Sequence, residues 1–350
     1  MDMEISFDSP LEQKNYARLG SRYVLISKIG QGATAKMYIG YDLNDKNRTL
    51  YAFKIVNPSK PQNLIYYQKE AMTLNALDHP NIVKYYESGS ETMIKSNGKS
   101  KYVFYIKIEY FKNGQLFDYI YYSKQGLGEN LAKVAMHYII NALEHMHSRN
   151  IVHRDIKTEN IMLDDYFNIK LVDFGFSEIR NKNSDGFLST YCGTTSYASP
   201  ELLAQKKYNG VSNDIFAIGV IMFVLVTGNL PFRSATQNDP HYIYFFKGDY
   251  DKYWQQREIT VSEEFKQLFN SICAVDPTQR PSLFEIKKSQ WMNNINYDDL
   301  SEFKKVLKKR RNSCQKKNKF IDWECESKKS SNNPFMNNKR KRFVIQKMYN

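Results

Sequence analysis

The chain has 350 residues, 42% of them hydrophobic and 25% charged, with a formal net charge of +13, which is enough apolar chain for one large domain or two small ones. No apolar run reaches the roughly 18 residues of a membrane span, and four scattered cysteines (Cys192, Cys273, Cys314 and Cys325) share no metal-ligand spacing and read as reduced thiols. From residue 296 onward 16 Lys or Arg face 6 Asp or Glu, so the tail holds +10 of the charge and the body is nearly balanced; the basicity is therefore no signature of specific nucleic-acid binding by the body.

Residues 1–22 begin acidic, lack a basic-plus-apolar leader and read as a short polar extension; Asp2 stands where myristoylation needs Gly. A cytoplasmic location is expected, with a nuclear one left open by the basic run Lys339–Arg340–Lys341–Arg342. From Tyr23 to about Tyr110 the pattern favours strands: YVLISKIG and MYIGYD flank a glycine-rich turn, LYAFKIV follows, and one helix is expected near Leu64–Ala76. Residues 91–101 read as a loop between two further strands. After Phe111 the character is helical, with helices expected over 130–148, 212–227 and about 262–274, the last capped by Ser262. The apolar stretch Ile215–Val226, interrupted by Gly219, reads as a buried helix. The organisation expected is a small β-rich region, a link near 109–114, a larger helical region ending near Asn294, and a basic tail over 295–350.

Four groups of residues carry chemistry. Gly30-Gln31-Gly32-Ala33-Thr34-Ala35 is a turn whose glycines would let backbone N–H groups approach phosphate oxygens, although a plain hairpin has the same requirement. Lys54 lies in an apolar strand, which is costly unless its charge is paired or reaches solvent at a sheet edge; Glu70 on the next helix is the candidate partner. The third and strongest group is His153-Arg154-Asp155-Ile156-Lys157-Thr158-Glu159-Asn160, and the fourth, just after it, is Asp173-Phe174-Gly175. Asp155 can orient a hydroxyl and accept its proton, Asn160 and Asp173 offer hard oxygen ligands to magnesium, and Lys157 can neutralise charge on a transferred phosphoryl group.

With these motifs in this order the sequence resembles the eukaryotic protein kinases over about Tyr23–Asn294, and Ser199-Pro200-Glu201, Asp214 and Arg280 extend the match, with Arg280 expected to pair with Glu201. The resemblance implies an α+β, bilobal kinase fold, with an N-lobe over about 23–110, a mainly helical C-lobe over 111–294, and ATP with Mg2+ bound between them. It implies Ile108 as gatekeeper, Glu109 to Phe111 as the adenine-binding hinge, and Ile29, Met37, Ala52 and Leu163 around the ring, beside Gly30, Gly32 and Ala35 over the phosphates. For the apolar members ordinary core packing is the competing explanation. Ala35 and Met37 depart from the family's usual Gly and Val.

Lys157, two residues after Asp155, and Thr194 match serine/threonine kinases, and FLSTYCGTTSYASPE with DFGFS resembles the calcium/calmodulin-dependent and AMP-activated-related group. The activity implied is a signalling transferase that moves phosphate from ATP to Ser or Thr of protein substrates; the alternative is a pseudokinase scaffold. Glu159 matches an acid that often meets a substrate Arg, while Gln115 stands where this group commonly carries Glu and Val224 replaces an acid used by some strongly basophilic kinases, so a moderate basic preference is expected. Thr190 stands where this group carries an activating phosphothreonine, written by an upstream kinase, and Arg154 could bind that phosphate; Glu178 occupies the region of the usual second basic residue. In the tail Phe303, Val306 and Leu307 share one face among Lys and Arg. That face could take calmodulin or an anionic surface, pack on the large lobe as an autoinhibitory segment, or stay solvated. A monomer is expected.

Overall fold

The computed structural model describes residues 16–32, 34–180, 186–293, 295 and 297–316. Cys325 and the Lys339–Arg342 run lie outside them, as do residues 1–15 of the expected extension. Among the described residues the chain divides into two compact units, the first holding residues 16–75 and Lys84–Tyr110, the second Ala76–Val83 and residues 111–316.

The first unit is a closed six-stranded antiparallel barrel in the order β1-β2-β3-β4-β6-β5. Its strands are β1 (Ala17–Leu19), β2 (Tyr23–Gln31), β3 (Ala35–Asp42), β4 (Leu50–Val56), β5 (Tyr85–Ile94) and β6 (Ser100–Glu109), with helix α1 (Pro61–Asn75) after β4. Two sequence expectations need correction here. The barrel begins at Ala17, inside the segment read as an extension, because β1 pairs with both β2 and β5 and Leu19 is fully buried. Residues 91–101 are mostly strand, and only the turn closed by Lys95 N–H to Lys99 O is loop. Of these residues only Met93 is buried, in the barrel interior, and the rest are exposed or half-buried, which is why the stretch looks like a loop by composition. The interior joins Leu19, Tyr23, Leu25, Phe53, Ile55, Met93 and Val103. On this sheet Lys107, 5% exposed, meets Asp42 at 3.4 Å and sits over the rings of Tyr51 and Tyr23.

The second unit is helical, with short β-pairs. In chain order it holds α2 (Leu116–Tyr121), α3 (Glu129–Ser148), β7 (Ile151–Val152), β8 (Ile161–Leu163), β9 (Ile169–Leu171), β10 (Glu178–Ile179), β11 (Phe187–Leu188), α4 (Pro200–Leu203), β12 (Tyr208–Asn209), α5 (Gly210–Thr227), α6 (Ile243–Lys247), α7 (Tyr250–Arg257), α8 (Glu263–Ile272), α9 (Leu283–Lys288) and α10 (Tyr297–Lys316). The α5 helix is apolar on every side because every side is covered. It is long and apolar enough to cross a bilayer, yet 78% of it is buried in the unit's core. Asn209 caps its start by accepting N–H bonds from Val211 and Ser212, and Gly228 closes its end at a left-handed φ of 79°. Phe223, Trp254, Phe265 and Phe269 gather between α5, α7 and α8. Glu129 at the head of α3 accepts from Ser262, the cap of α8, and from Trp291 at 2.8 Å. Of the readings left open for the tail, residues to Lys316 form a helix that packs on α2 and α3, with Phe303 and Leu307 buried and Val306 half-buried.

Candidate active site

In the first unit, strand register lines up the residues expected around a nucleotide. Gly30 pairs with Met37, Met37 with Lys54, and Ala52 with Ile108, the residue before Glu109 at the end of β6. Ile29, Met37 and Ile108 are half-buried, and Ala35 and Ala52 are buried. Gly32 N–H donates to Ala35 O at 2.8 Å, closing the tip of the β2–β3 hairpin. A Cβ added at Gly30 or Gly32 would meet nothing nearer than 3.5 and 3.8 Å, so the fold itself leaves room for a side chain at both positions. Lys54 does not reach out at a sheet edge. Its Nζ lies 2.5 and 2.6 Å from the two carboxylate oxygens of Glu70 on α1, and Glu70 is buried.

In the second unit the segment after β7 turns sharply through Arg154, whose φ is +67°. Asp214 on α5 holds that turn. One carboxylate oxygen accepts from His153 N–H at 2.9 Å and His147 Nε2 at 3.0 Å, the other from Arg154 N–H at 2.8 Å. Burial alone would raise this carboxyl, but the bonds from His147 and the backbone outweigh it and hold the group below its usual range. His147 was not singled out from the sequence; its position in the last turn of α3, one residue after the buried Met146, was the available signal.

Around Asp155 the side chains are tightly bonded. Lys157 Nζ lies 2.6 Å from Asp155 Oδ2 and donates to Thr194 Oγ1 at 2.6 Å, and Thr194 Oγ1 donates to Asp155 Oδ1 at 2.8 Å. Asn160 Nδ2 donates to the Asp155 carbonyl at 2.8 Å and to Oδ2 at 3.2 Å, which turns its Oδ1 away as an acceptor for something else. Gly193 permits the close approach of the Thr194 segment: its φ is +101°, and a Cβ there would fall 2.5 Å from Arg154 O.

Asp173 follows Val172, whose N–H is held by Asn160 O at 3.0 Å and whose carbonyl meets His153 Nε2 at 3.1 Å. Asp173 itself has a left-handed φ of 63°, and Phe174 packs on the His153 ring. Leu163 on β8 is fully buried, and Phe111 nearly so. The donors expected for magnesium are thus an amide oxygen and a carboxylate, a pairing that suits a hard cation. Among the described residues no three His, Cys, Asp or Glu side chains cluster as a further metal site.

The segment after Asp173 is anchored at two places. Arg280 grips Glu201 through two bonds of 2.7 Å, and Asn213 accepts from the N–H and hydroxyl of Ser199. Thr190 is exposed, and its carbonyl accepts from Tyr208 Oη at 3.0 Å. Burial pushes the Tyr208 hydroxyl up to about 12, so it keeps the proton it donates. Tyr208 belongs to no motif, and nothing in its sequence surroundings marked it.

A barrel unit with a lysine–glutamate pair and a helical unit with an Asp–Lys–Asn loop define the bilobal fold of the protein kinases. The protein kinase domain family matches residues 23–292, and the chain belongs to that family. Its relatives include CBL-interacting protein kinase 11 of Oryza sativa subsp. japonica, 36% identical over 284 residues, an alignment covering 78% of this chain and 52% of that protein. The probable serine/threonine-protein kinase MARK-A of Dictyostelium discoideum is 34% identical, with 83% and 26% covered. The SNF1-related protein kinase catalytic subunit alpha KIN12 of Arabidopsis thaliana is 37% identical, with 78% and 51% covered. These relatives fall in the calcium/calmodulin-dependent and AMP-activated-related group that the motif spelling resembles. The chain spans about half the length, or less, of these curated relatives.

Proposed function

We propose that this chain is a serine/threonine protein kinase that transfers the γ-phosphoryl group of ATP to protein hydroxyls. The observation that carries the reading is the bonded set Asp155, Lys157, Asn160 and Thr194. With both oxygens committed, the Asp155 carboxylate is fixed in direction, as a base must be to orient an acceptor hydroxyl and take its proton. The acceptor oxygen bonds to the γ-phosphorus as the bond to the β–γ bridging oxygen breaks, and ADP leaves. Lys157 sits beside Asp155, where it can offset charge on the moving phosphoryl oxygens. Lys54 is steered by Glu70, a pairing suited to phosphate contact, and the roomy glycines at 30 and 32 would let backbone N–H groups approach phosphate oxygens. Asn160 Oδ1 and Asp173 would hold magnesium, whose chemistry when bound is charge neutralisation at the phosphates.

The basic preference expected of substrates rests on Glu159. Burial pushes its carboxyl above the usual range, and the neighbouring Lys157 pulls it back only in part. Phosphorylation of Thr190 by an upstream kinase is the regulatory part of the reading, supported by its exposure and by its link through Tyr208 to Arg154. Calmodulin or an anionic surface would meet the basic face of α10, and action in the cytoplasm or nucleus as a monomer completes the picture. The test is Mg-ATP phosphotransfer on a peptide array. Wild type should label Ser and Thr peptides, with Arg upstream favoured, while Asp155→Asn and Asp173→Ala should not. Equal, background labelling by all three would leave a scaffold without transfer.

A further inference from the structure

Arg154 is the side chain to which a phosphate on Thr190 would turn, yet its guanidinium is already engaged. It is 7% exposed. Its Nε donates to Phe176 O at 2.6 Å, Nη1 lies 3.5 Å from Tyr208 Oη, and Nη2 lies 3.1 Å from Glu178 Oε2. Glu178 is held there by backbone. The β10–β7 pair sets Glu178 opposite Val152 and Ile179 opposite Ile151, and Arg180 N–H to Asn150 O at 2.8 Å continues it. The carboxylate therefore reaches Arg154 from a strand position paired with Val152, two residues before Arg154. Tyr208 carries the same anchor to the Thr190 backbone.

A buried guanidinium needs a counter-anion. We propose that Glu178 is the built-in counter-anion of Arg154, so that Phe176–Glu178 and the stretch Thr190–Thr194 keep their working arrangement in the unphosphorylated chain and turnover does not require phosphate on Thr190. The inference rests on the kinase reading above. Glu178 acts through Arg154 and is a positioning residue. A Thr190 phosphate becomes a supplement, since its principal partner is already neutralised.

The experiment uses the full chain, dephosphorylated and checked by intact mass, with Mg-ATP and the best array peptide. Wild type and Thr190→Ala are expected to turn over within about twofold of each other, and wild type carrying phosphothreonine at 190 no more than a few-fold faster. Glu178→Gln should lose about tenfold or more in kcat, Glu178→Asp should keep most of it, and Glu178→Lys should be the weakest. Phosphothreonine at 190, with about −1.5 to −2 charge, should restore Glu178→Lys, a rescue that mere structural damage would not show. A dephosphorylated wild type that is inert until Thr190 is phosphorylated would overturn the proposal without any Glu178 variant having to fold. So would a Glu178→Gln enzyme as active as wild type. No transfer by wild type in either phosphorylation state would remove the kinase reading and this one with it.

Discussion

Arg280 and Glu201 form a two-pronged ion pair, Nη1 to Oε1 and Nη2 to Oε2 both at 2.7 Å, with the guanidinium side chain only 1% exposed. Seventy-nine residues separate them, and the pair ties the end of the segment that carries Thr194 to the start of α9. Arg280 also donates to Ala274 O and Ser212 O, so its five N–H groups are almost wholly used.

Removing one member of that pair leaves the other buried and unmatched. Glu201→Gln or Arg280→Ala should cost about 3–5 kcal/mol in urea denaturation of the full chain. The double variant should cost less than the sum of the two, because the orphaned charge is gone. A loss under about 1 kcal/mol for either single variant would show that the pair is screened.

Lys54 and Glu70 call for a different pattern. Lys54 is 16% exposed and Glu70 only 7%, so breaking the pair strands an acid more than a base. Lys54→Met should leave the fold with a modest stability loss and reduce phosphotransfer by roughly 10²–10³, the scale of losing one preorganised charge contact. Glu70→Gln should fall between Lys54→Met and wild type, since Lys54 remains but is less firmly steered. Single-turnover kinetics with labelled ATP would check both.

Asp214 makes stability depend on pH. Its carboxyl is held below the usual 3.8, so its contribution is fully present above that value and is lost as pH falls through the folded value. The stability gap between wild type and Asp214→Asn should be wide at pH 7 and should close below about pH 3.8. Denaturant titrations at several pH values measure it. A gap that widened on acidification would reverse the assigned direction.

The α10 helix is a structural element of the large unit. Phe303 and Leu307 are 1% and 0% exposed, and Arg310 donates to the carbonyls of Tyr119, Gln125 and Gly126 between α2 and α3. Leu307→Ala should destabilise by about 2–5 kcal/mol and Phe303→Ala by about 3–5. Arg310→Ala should cost about 1.5–3 kcal/mol through lost charged hydrogen bonds. Because the apolar stripe is occupied, calmodulin should bind a peptide of residues 297–316 more tightly than the intact chain, as isothermal titration would show. Equal affinity would mean that the helix undocks freely.

Much of the site could be read from residues 153–160 and 173–175, because phosphoryl transfer needs particular groups at short, fixed separations along one loop. The helices at 129–148 and 210–227 were equally legible, since periodicity and end residues are local properties. Other features were hidden. The β1 strand has three residues and is defined only by its partners, Tyr23–Leu25 and Met93–Ile94. Residues 91–101 look like a loop because, Met93 apart, the strand ends there are exposed or half-buried. Tyr208 and His147 matter through neighbours about 18 to 67 residues away, a distance at which a single sequence carries no pattern.

The sequence by itself determined the chemical parts: an aspartate with a lysine beside it, an asparagine and a second aspartate close behind, a lysine on a strand, and a glycine-rich hairpin. It did so because reactivity belongs to side-chain type and short-range spacing. Beyond Lys54–Glu70 and Arg280–Glu201, which the motifs already suggested, the tertiary structure decided which groups meet. It gave Arg154 to Glu178, Glu129 to Ser262 and Trp291, and the apolar face of α10 to α2 and α3. Such pairings follow from burial, where a charge or an apolar stripe must find a partner from whichever distant segment the fold brings within reach.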